Sequence, residues 1–363
     1  MEEPGRVVVA MSGGVDSSLA ALLLAEAGWE VTGVTLQLRD GADERGSGDG
    51  VASARQAVEA AGGTHRLVDA RSEFTDLVIR DFAAEYASGR TPNPCVRCNE
   101  RLKWVILQRE ARAIGADRIA TGHYARIGRG AQGPVLETAR DRARDQSYVL
   151  WRLRRPALVS TLFPLGGMTK KEVVGTARRF GLAAAGRKES QDICFVDCEG
   201  YDAFLDRIGP ELEDSRLASD LRRALEPGEI VDHRGEILGT HRGIARYTIG
   251  QRHGLGLAAG RPLYVTAIDR ATGRLVVGEA AALERTDLRA GEANWISIPP
   301  PSEPFEAEVR IRYRGPRIRA LILPGNGADF TARFATRQRA VTPGQSAVLY
   351  DGEIVLGGGI ITD

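Results

Sequence analysis

An apolar run, Arg6 to Met11, passes directly into Ser12-Gly13-Gly14-Val15-Asp16-Ser17-Ser18 and then into a stretch with helical character that Gly28 ends. A short apolar run without alternation predicts a strand buried on both faces, and such strands belong to parallel sheets covered by helices. Glycines at the strand-to-helix turn let the backbone approach an anion closely. Hydroxyls and amides can donate to it, and the helix N-terminus favours its charge. No Gly-Lys-Ser/Thr follows at the spacing a Walker loop needs. On residue chemistry alone, the segment is either a phosphate cradle or a Gly-rich turn capped by Asp16 or Ser17.

The strand and helix alternation continues along the first half of the chain. Val31 to Leu36, His65 to Val68 and Arg118 to Thr121 read as strands, the last closing at Gly122, and Val149 to Trp151 reads as a further one. Val51 to Ala61, Glu73 to Ala87 and Asn99 to Ile114 read as helices, with the turn-rich Thr91 to Cys98 before the last. Gly41 to Gly50, rich in Gly, Asp and Ser, is expected to be a mobile loop. Beyond about residue 205 helical periodicity fades and short β-like runs appear between Pro227-Gly228, Arg234-Gly235 and Thr272-Gly273. From about 290 onward, runs of four to six residues separated by turn signals suit a compact barrel. A chain of 363 residues exceeds what one core usually serves. The expected organisation is an α/β class: a parallel-sheet domain over 1–210, a small mainly-β domain over 211–285 and a β-barrel over 286–363.

Basic and acidic residues nearly cancel, 49 against 48, so bulk charge steers the chain toward neither nucleic acid nor membrane. A polyanion must therefore meet a local patch. No stretch reaches the roughly 18 to 20 apolar residues of a membrane span, and Glu2, Glu3 and Pro4 do not make a signal peptide's charged start. A cytoplasmic protein is expected. Only Lys103, Lys170, Lys171 and Lys188 are lysines among the 49 basic residues, a bias given no functional weight. The cysteines form two tight pairs in a chain too long to need disulfide staples, which points to metal or redox chemistry. Cys95 and Cys98 sit just ahead of an expected helix, where peptide dipoles favour thiolate, the form that is both nucleophile and ligand. Cys194 and Cys198 have a CxxxC spacing that argues against a four-cysteine zinc site, and Cys198 reads as an inert buried thiol.

Taken in order, SGGVDSS, TPNPCVRCN, ATGHYAR (120–126), DQSYVL (145–150), ESQDICFV, RYTIGQRHGLG (246–256) and AVTPGQSAVLYDGE (340–353) resemble the tRNA-specific 2-thiouridylase family of the PP-loop ATP pyrophosphatases. The resemblance covers essentially the whole chain. It implies ATP- and Mg2+-dependent thiolation at position 2 of the wobble uridine in tRNAs for Lys, Glu and Gln. The uracil oxygen is a poor leaving group until ATP adenylates it, and AMP then leaves well. Ala10, Met11, Ser12, Gly13, Gly14, Val15, Asp16, Ser17 and Gly122 would surround ATP, with Leu36 near the adenine. Cys194 would carry sulfur as a persulfide supplied by a cysteine desulfurase or a sulfur-relay protein. Cys98 would be its partner thiolate, the two ending as a disulfide.

The same resemblance places Asn93, Pro94 and Cys95 around the splayed base, and His123, Arg144, Asp145, Gln146, Arg312, Tyr313 and Gln345 against tRNA. Two departures stand out. Cys95 stands where some relatives carry Asp, which leaves open a 4Fe-4S cluster held by Cys95, Cys98 and Cys194. Arg144 stands where Lys is common, keeping the charge with a different geometry. Arg310, Arg312, Arg314, Arg317, Arg319, Arg333, Arg337 and Arg339 outnumber Glu306, Glu308 and Asp329, and alternating arginines on a strand would share one face able to grip phosphates. His241, His253 and the tryptophans read as structural, and a monomer is expected. Two other readings remain: an ATP pyrophosphatase that adenylates a small metabolite, and an RNA-binding module that senses nucleotide.

Overall fold

The computed structural model describes residues 4–39, 48–182, 193–196, 200–212, 214–258 and 260–363. Its first layer is a parallel sheet of β1 (Arg6–Ala10), β2 (Glu30–Gln37), β3 (Thr64–Asp69), β4 (Arg118–Ala120) and β7 (Thr161–Leu162), in the order β3-β2-β1-β4-β7. Val7, Val8 and Val9 are fully buried, as expected of a central strand covered on both faces. β1 pairs with β2 on one side and β4 on the other, so the sheet changes direction of growth there. Ligands of open parallel sheets bind at the carboxyl ends of strands at such a switch point. Both Ser12–Gly14, after β1, and Gly122, after β4, lie at that edge.

Several expectations are corrected. The fifth strand is Thr161–Leu162, paired with Ile119 and Ala120, whereas Ser147–Val149 forms a 3-10 turn. Tyr148, Leu150 and Trp151 are instead buried between the sheet and the barrel. The turn-rich segment becomes helical at Pro94, which pre-sets the first turn. From Pro94–Cys98 the helix runs through a π turn, Asn99–Lys103, into Trp104–Ala113. Both cysteines therefore lie within a helix. Of the expected loop 41–50, Gly48 to Gly50 begin the helix Gly48–Ala60 and the remainder lies outside the described residues. Residues 189–192 and Cys198 also lie outside them.

After the helices Gly200–Ile208 and Ser215–Leu225, the middle of the chain forms a four-stranded sheet of β8 (Gly228–Val231), β9 (Ile237–His241), β10 (Tyr264–Asp269) and β11 (Arg274–Gly278), ordered β10-β11-β8-β9. His241 is structural here: its ring bonds Gly273 O and accepts from Gly243 N. The third layer contains β12 (Glu284–Asn294), β13 (Phe305–Arg310), β14 (Ile318–Pro324), β15 (Asp329–Arg339), β16 (Ser346–Asp351) and β17 (Ile354–Ile361). The order β12-β15-β14-β13-β16-β17, with β12 pairing back to β17, closes a six-stranded antiparallel barrel. A hairpin from the first half of the chain, β5 (Ala125–Gly130) and β6 (Gly133–Thr138), adds to β17. The sheet thus crosses the expected boundary near 286. Among the described residues no helix is long and apolar enough to cross a membrane.

Trp151 locks sheet and barrel together. It is fully buried, donates Nε1 to Ser346 Oγ at 3.0 Å, and packs where the Gly357-Gly358-Gly359 run leaves room. A Cβ on Gly358 would stand 2.9 Å from its ring. Urea unfolding should therefore show Trp151→Ala destabilised by about 3–5 kcal/mol, and Gly358→Ala destabilised by overpacking.

Candidate active site

The loop after β1 folds on its own hydroxyls. Ser12 N donates to Ser17 Oγ at 3.1 Å, the two serine hydroxyls lie 3.2 Å apart, and Ser17 Oγ donates to Gly14 O at 3.2 Å. Gly13 has φ +75, and a Cβ there would stand 2.3 Å from Gly50 O, so only glycine fits. Gly122 faces the same loop, where a Cβ would come within 2.8 Å of Ser17 N. The backbone amides at the start of the helix Val15–Glu26 receive no side-chain cap, an arrangement suited to an anion. The carboxylate of Asp16 accepts from Lys170 Nζ at 2.8 and 2.9 Å and from Tyr124 OH at 2.8 Å. Lys170 occupies the first turn of the helix Lys170–Arg179, which Thr169 and Glu172 cap reciprocally.

Cys95, Cys98 and Cys194 are free thiols, Cys98 buried and the other two exposed. The helix was expected to lower the CxxC thiol pKa values, and the structure reverses this. Burial pushes Cys98 up to about 12, and desolvation raises Cys95 as well, although that residue is exposed at the surface. Desolvation outweighs the dipole at the start of this helix. Lys103 ends the π turn five residues after Cys98, and each thiol lies within reach of its charge. Burial opposes its ammonium, yet the thiols outweigh that, so Lys103 is raised while it favours thiolate in them. Burial and Lys103 together press His123 down to about 3, so its ring is neutral. It bonds Thr121 Oγ1 through Nδ1 at 2.8 Å and packs beside Trp104 and Phe163. Gly122 abuts the loop, His123 follows it in the chain, and His123 and the three thiols all feel the charge of Lys103.

Asn93 and Pro94 lead into the cysteine helix, and Tyr313 reaches this region, its hydroxyl sensing Asp145 and Cys95. Leu36 lies near the carboxyl end of β2, half-buried. Three residues expected on tRNA have other engagements. Asp145 is buried, accepting from Ala139 N, Ser147 N, Ser147 Oγ and Arg310. Gln146 accepts from Tyr124 N at 2.8 Å. Gln345 donates to Thr91 O at 2.9 Å and steadies the loop leading to Asn93. Arg144 is half-buried.

The arginines do not form one strand face. β13 ends at Arg310, which pairs with Asp145 and lies over Tyr350, so Arg312 and Arg314 follow on a turn. Arg317 also lies over Tyr350 and pairs with Glu308. Arg312 donates to Arg339 O and Ala340 O. With Arg339 and Gly250 it lines a cavity of about 310 Å3 at the seam with the middle sheet.

Residues 5–198 match the family described as tRNA methyl transferase HUP domain, residues 217–279 the tRNA methyl transferase PRC-barrel domain, and residues 285–361 the aminomethyltransferase beta-barrel domain. A protein of Magnetococcus marinus named tRNA-specific 2-thiouridylase MnmA is 44% identical over 99% of this chain and 100% of its own. One of the same name from Geotalea uraniireducens is 46% identical over 98% and 94%. The chain belongs to the tRNA-specific 2-thiouridylase family. Among solved structures, a 4-thiouridine synthetase–RNA complex with bound ATP aligns with a TM-score of 0.37 at 18% identity over 60% of this chain and 53% of that one, too low to bear on function.

Within this thiouridylase chain, sequence reasoning missed Lys103, Lys170 and Tyr124. A signal existed for the lysines. In a chain that uses arginine almost everywhere, a lysine stands out as a compact point charge rather than a planar fork, and two of the four lysines, Lys103 and Lys170, lie in this site. Three thiols from a CxxC pair and a distant residue are also a donor set that suits an iron-sulfur cluster, where each iron takes one thiolate. Among the described residues no three His, Cys, Asp or Glu side chains are close enough to share one metal ion.

Two outcomes follow from these environments. Iodoacetamide labelling read by peptide mass spectrometry should find Cys98 the slowest of Cys95, Cys98 and Cys194 at pH 8, accelerating as pH climbs toward 12. Asp145→Ala should cost about 3 kcal/mol in urea unfolding, because it leaves Arg310 charged and poorly solvated.

Proposed function

We propose that this chain uses ATP to replace the position-2 oxygen of the wobble uridine with sulfur in tRNAs for Lys, Glu and Gln, through a cysteine persulfide. The observation that carries this reading is that the anion-ready loop abuts Gly122, next to His123, and that His123 and three thiols share the charge of Lys103. ATP, with Mg2+, would lie on Ser12 to Ser17 and Gly122, with the adenine toward Leu36. Asp16 is the loop's carboxylate, and Lys170 beside it is placed to trade that partner for phosphate oxygens. The uracil oxygen attacks the α-phosphorus, forming an O–P bond and expelling pyrophosphate. Neutral His123 suits a pocket for an uncharged base, with Asn93, Pro94, Cys95 and Tyr313 around it.

In the sulfur step, the terminal sulfur of the Cys194 persulfide bonds to carbon 2 and AMP leaves with the former uracil oxygen. Cys98, as thiolate, then attacks the Cys194 sulfur. The sulfur–sulfur bond to the nucleoside breaks, its electron pair becomes the thiocarbonyl, and a Cys98–Cys194 disulfide remains for a dithiol to reduce. The persulfide comes from a desulfurase or relay protein. The basic cavity lined by Arg312 and Arg339 suits a backbone phosphate, while Gln345 and Asp145 act by holding the pocket's walls. The third thiol, Cys95, favours a second reading in which Cys95, Cys98 and Cys194 hold a 4Fe-4S cluster. Bound there, the cluster would supply an open iron for hydrosulfide.

The deciding measurement is nucleoside mass spectrometry of unmodified glutamate tRNA after incubation with ATP, magnesium, a persulfide donor and protein verified free of iron. 2-Thiouridine should appear, and Cys194→Ser and Cys98→Ser should each abolish it. Thiolation that needs reconstituted iron and sulfide would replace the persulfide route with the cluster.

A further inference from the structure

Arg97 stands between the two cysteines of the CxxC helix and is only 7% exposed. Its guanidinium meets Glu292 on β12 in a bidentate pair, Nη1 to Oε2 at 2.8 Å and Nη2 to Oε1 at 2.9 Å. Arg152 donates to the same Glu292 carboxylate at 3.0 Å and to Glu100 at 2.7 Å, and Asp81 lies 3.5 Å from Arg97 Nε. Glu292 has φ +51, and the pairing of β12 with β17 shifts register between Gly291 and Asn294 around it. A side-chain-bearing residue stays in the left-handed region only when its surroundings over-determine it, and such outliers gather at functional sites. The barrel thus spends backbone strain to aim one carboxylate at the residue between the two thiols. Two residues on, Asn294 Nδ2 donates to Trp151 O and Leu153 O, fixing that stretch of β12 to the catalytic layer.

We propose that Glu292 is a positioning residue for sulfur transfer: through Arg97 it sets where Cys98 stands relative to Cys194, making the barrel part of the thiol geometry. The proposal rests on the reading of Cys98 and Cys194 as partners. It gives the barrel a role that phosphate contacts would not supply. It also explains why a strained glutamate stands where glycine or asparagine would sit more easily.

The test uses Glu292→Gln, which keeps shape and loses charge, and Glu292→Gly, which also relieves the left-handed backbone. The full-length protein is treated with diamide, which is reduced to its hydrazine as two thiols become a disulfide, and Cys98–Cys194 bond formation is timed by mass spectrometry. Thiolation kcat, the KM for ATP and melting temperature are measured alongside. Both variants should form the disulfide more slowly, on the order of tenfold, because a small misplacement of reacting atoms is costly. Thiolation kcat should fall with it while the KM for ATP holds. Glu292→Gly should do so without melting below Glu292→Gln. Wild-type disulfide and thiolation rates in both variants, or losses that merely follow a lowered melting temperature, would overturn the proposal. A wild-type protein that forms the disulfide but never thiolates tRNA would instead refute the functional reading and leave the Glu292 comparison intact.

Discussion

Burying a guanidinium costs several kcal/mol unless carboxylates surround it, and the helix that carries Cys95 and Cys98 buries one between them. Satisfying Arg97 takes Glu292 from the barrel, Glu100 from the next turn and Asp81 from a neighbouring helix. Glu292 lies about 200 residues from Arg97, so its bidentate share of the requirement is met only when barrel and parallel sheet are docked. Arg97 in turn keeps Glu292 ionised, holding its carboxyl down to about 2. The glutamate is half exposed, so solvent screens part of that interaction. Its value lies more in fixing geometry than in net stability. The loop before the helix is held likewise: Thr91 N donates to Pro343 O, and Gln345 donates to Thr91 O.

The electrostatics of the site follow from where its cations stand. The anion loop has no basic residue of its own, and Lys170 supplies one from a helix about 150 residues away, resting on Asp16. Lys103 does the same for the thiols. Between them His123 is held neutral by burial and by Lys103, so the passage joining the two regions carries no extra charge of its own. A polyanionic substrate would meet positive charge at the phosphates and at the sulfur, with an uncharged ring beside the base.

The parallel sheet was legible because Val7, Val8 and Val9 announce a doubly buried strand and Gly13 a turn that only glycine makes. The loop's anion-ready geometry was legible for the same reason. Val149 to Trp151 misled because an apolar run reads alike whether it enters a sheet or plugs a seam, and here Trp151 is matched by Gly358, about two hundred residues later. The CxxC pKa direction misled because peptide dipoles are visible in sequence and burial is not. For Asp145 a motif marks the residue as needed without revealing that its carboxylate holds Arg310 and the turn at Ser147. Glu292 had no local signal at all. Its role comes from a left-handed kink and a partner on another layer, neither of which a pattern of residue types encodes.

The resting chemistry of Cys98 constrains how the thiols are used. With its pKa pushed up to about 12 by burial, Cys98 rests as the protonated thiol at neutral pH. Such a thiol resists oxidation and stray alkylation. Attack on a persulfide needs the thiolate, so the reacting state must differ from the resting one in the charge or solvation around Cys98. Lys103, which ends the π turn after the buried Leu102, is a cation whose charge reaches Cys98 and favours its thiolate, but in the resting state burial outweighs it.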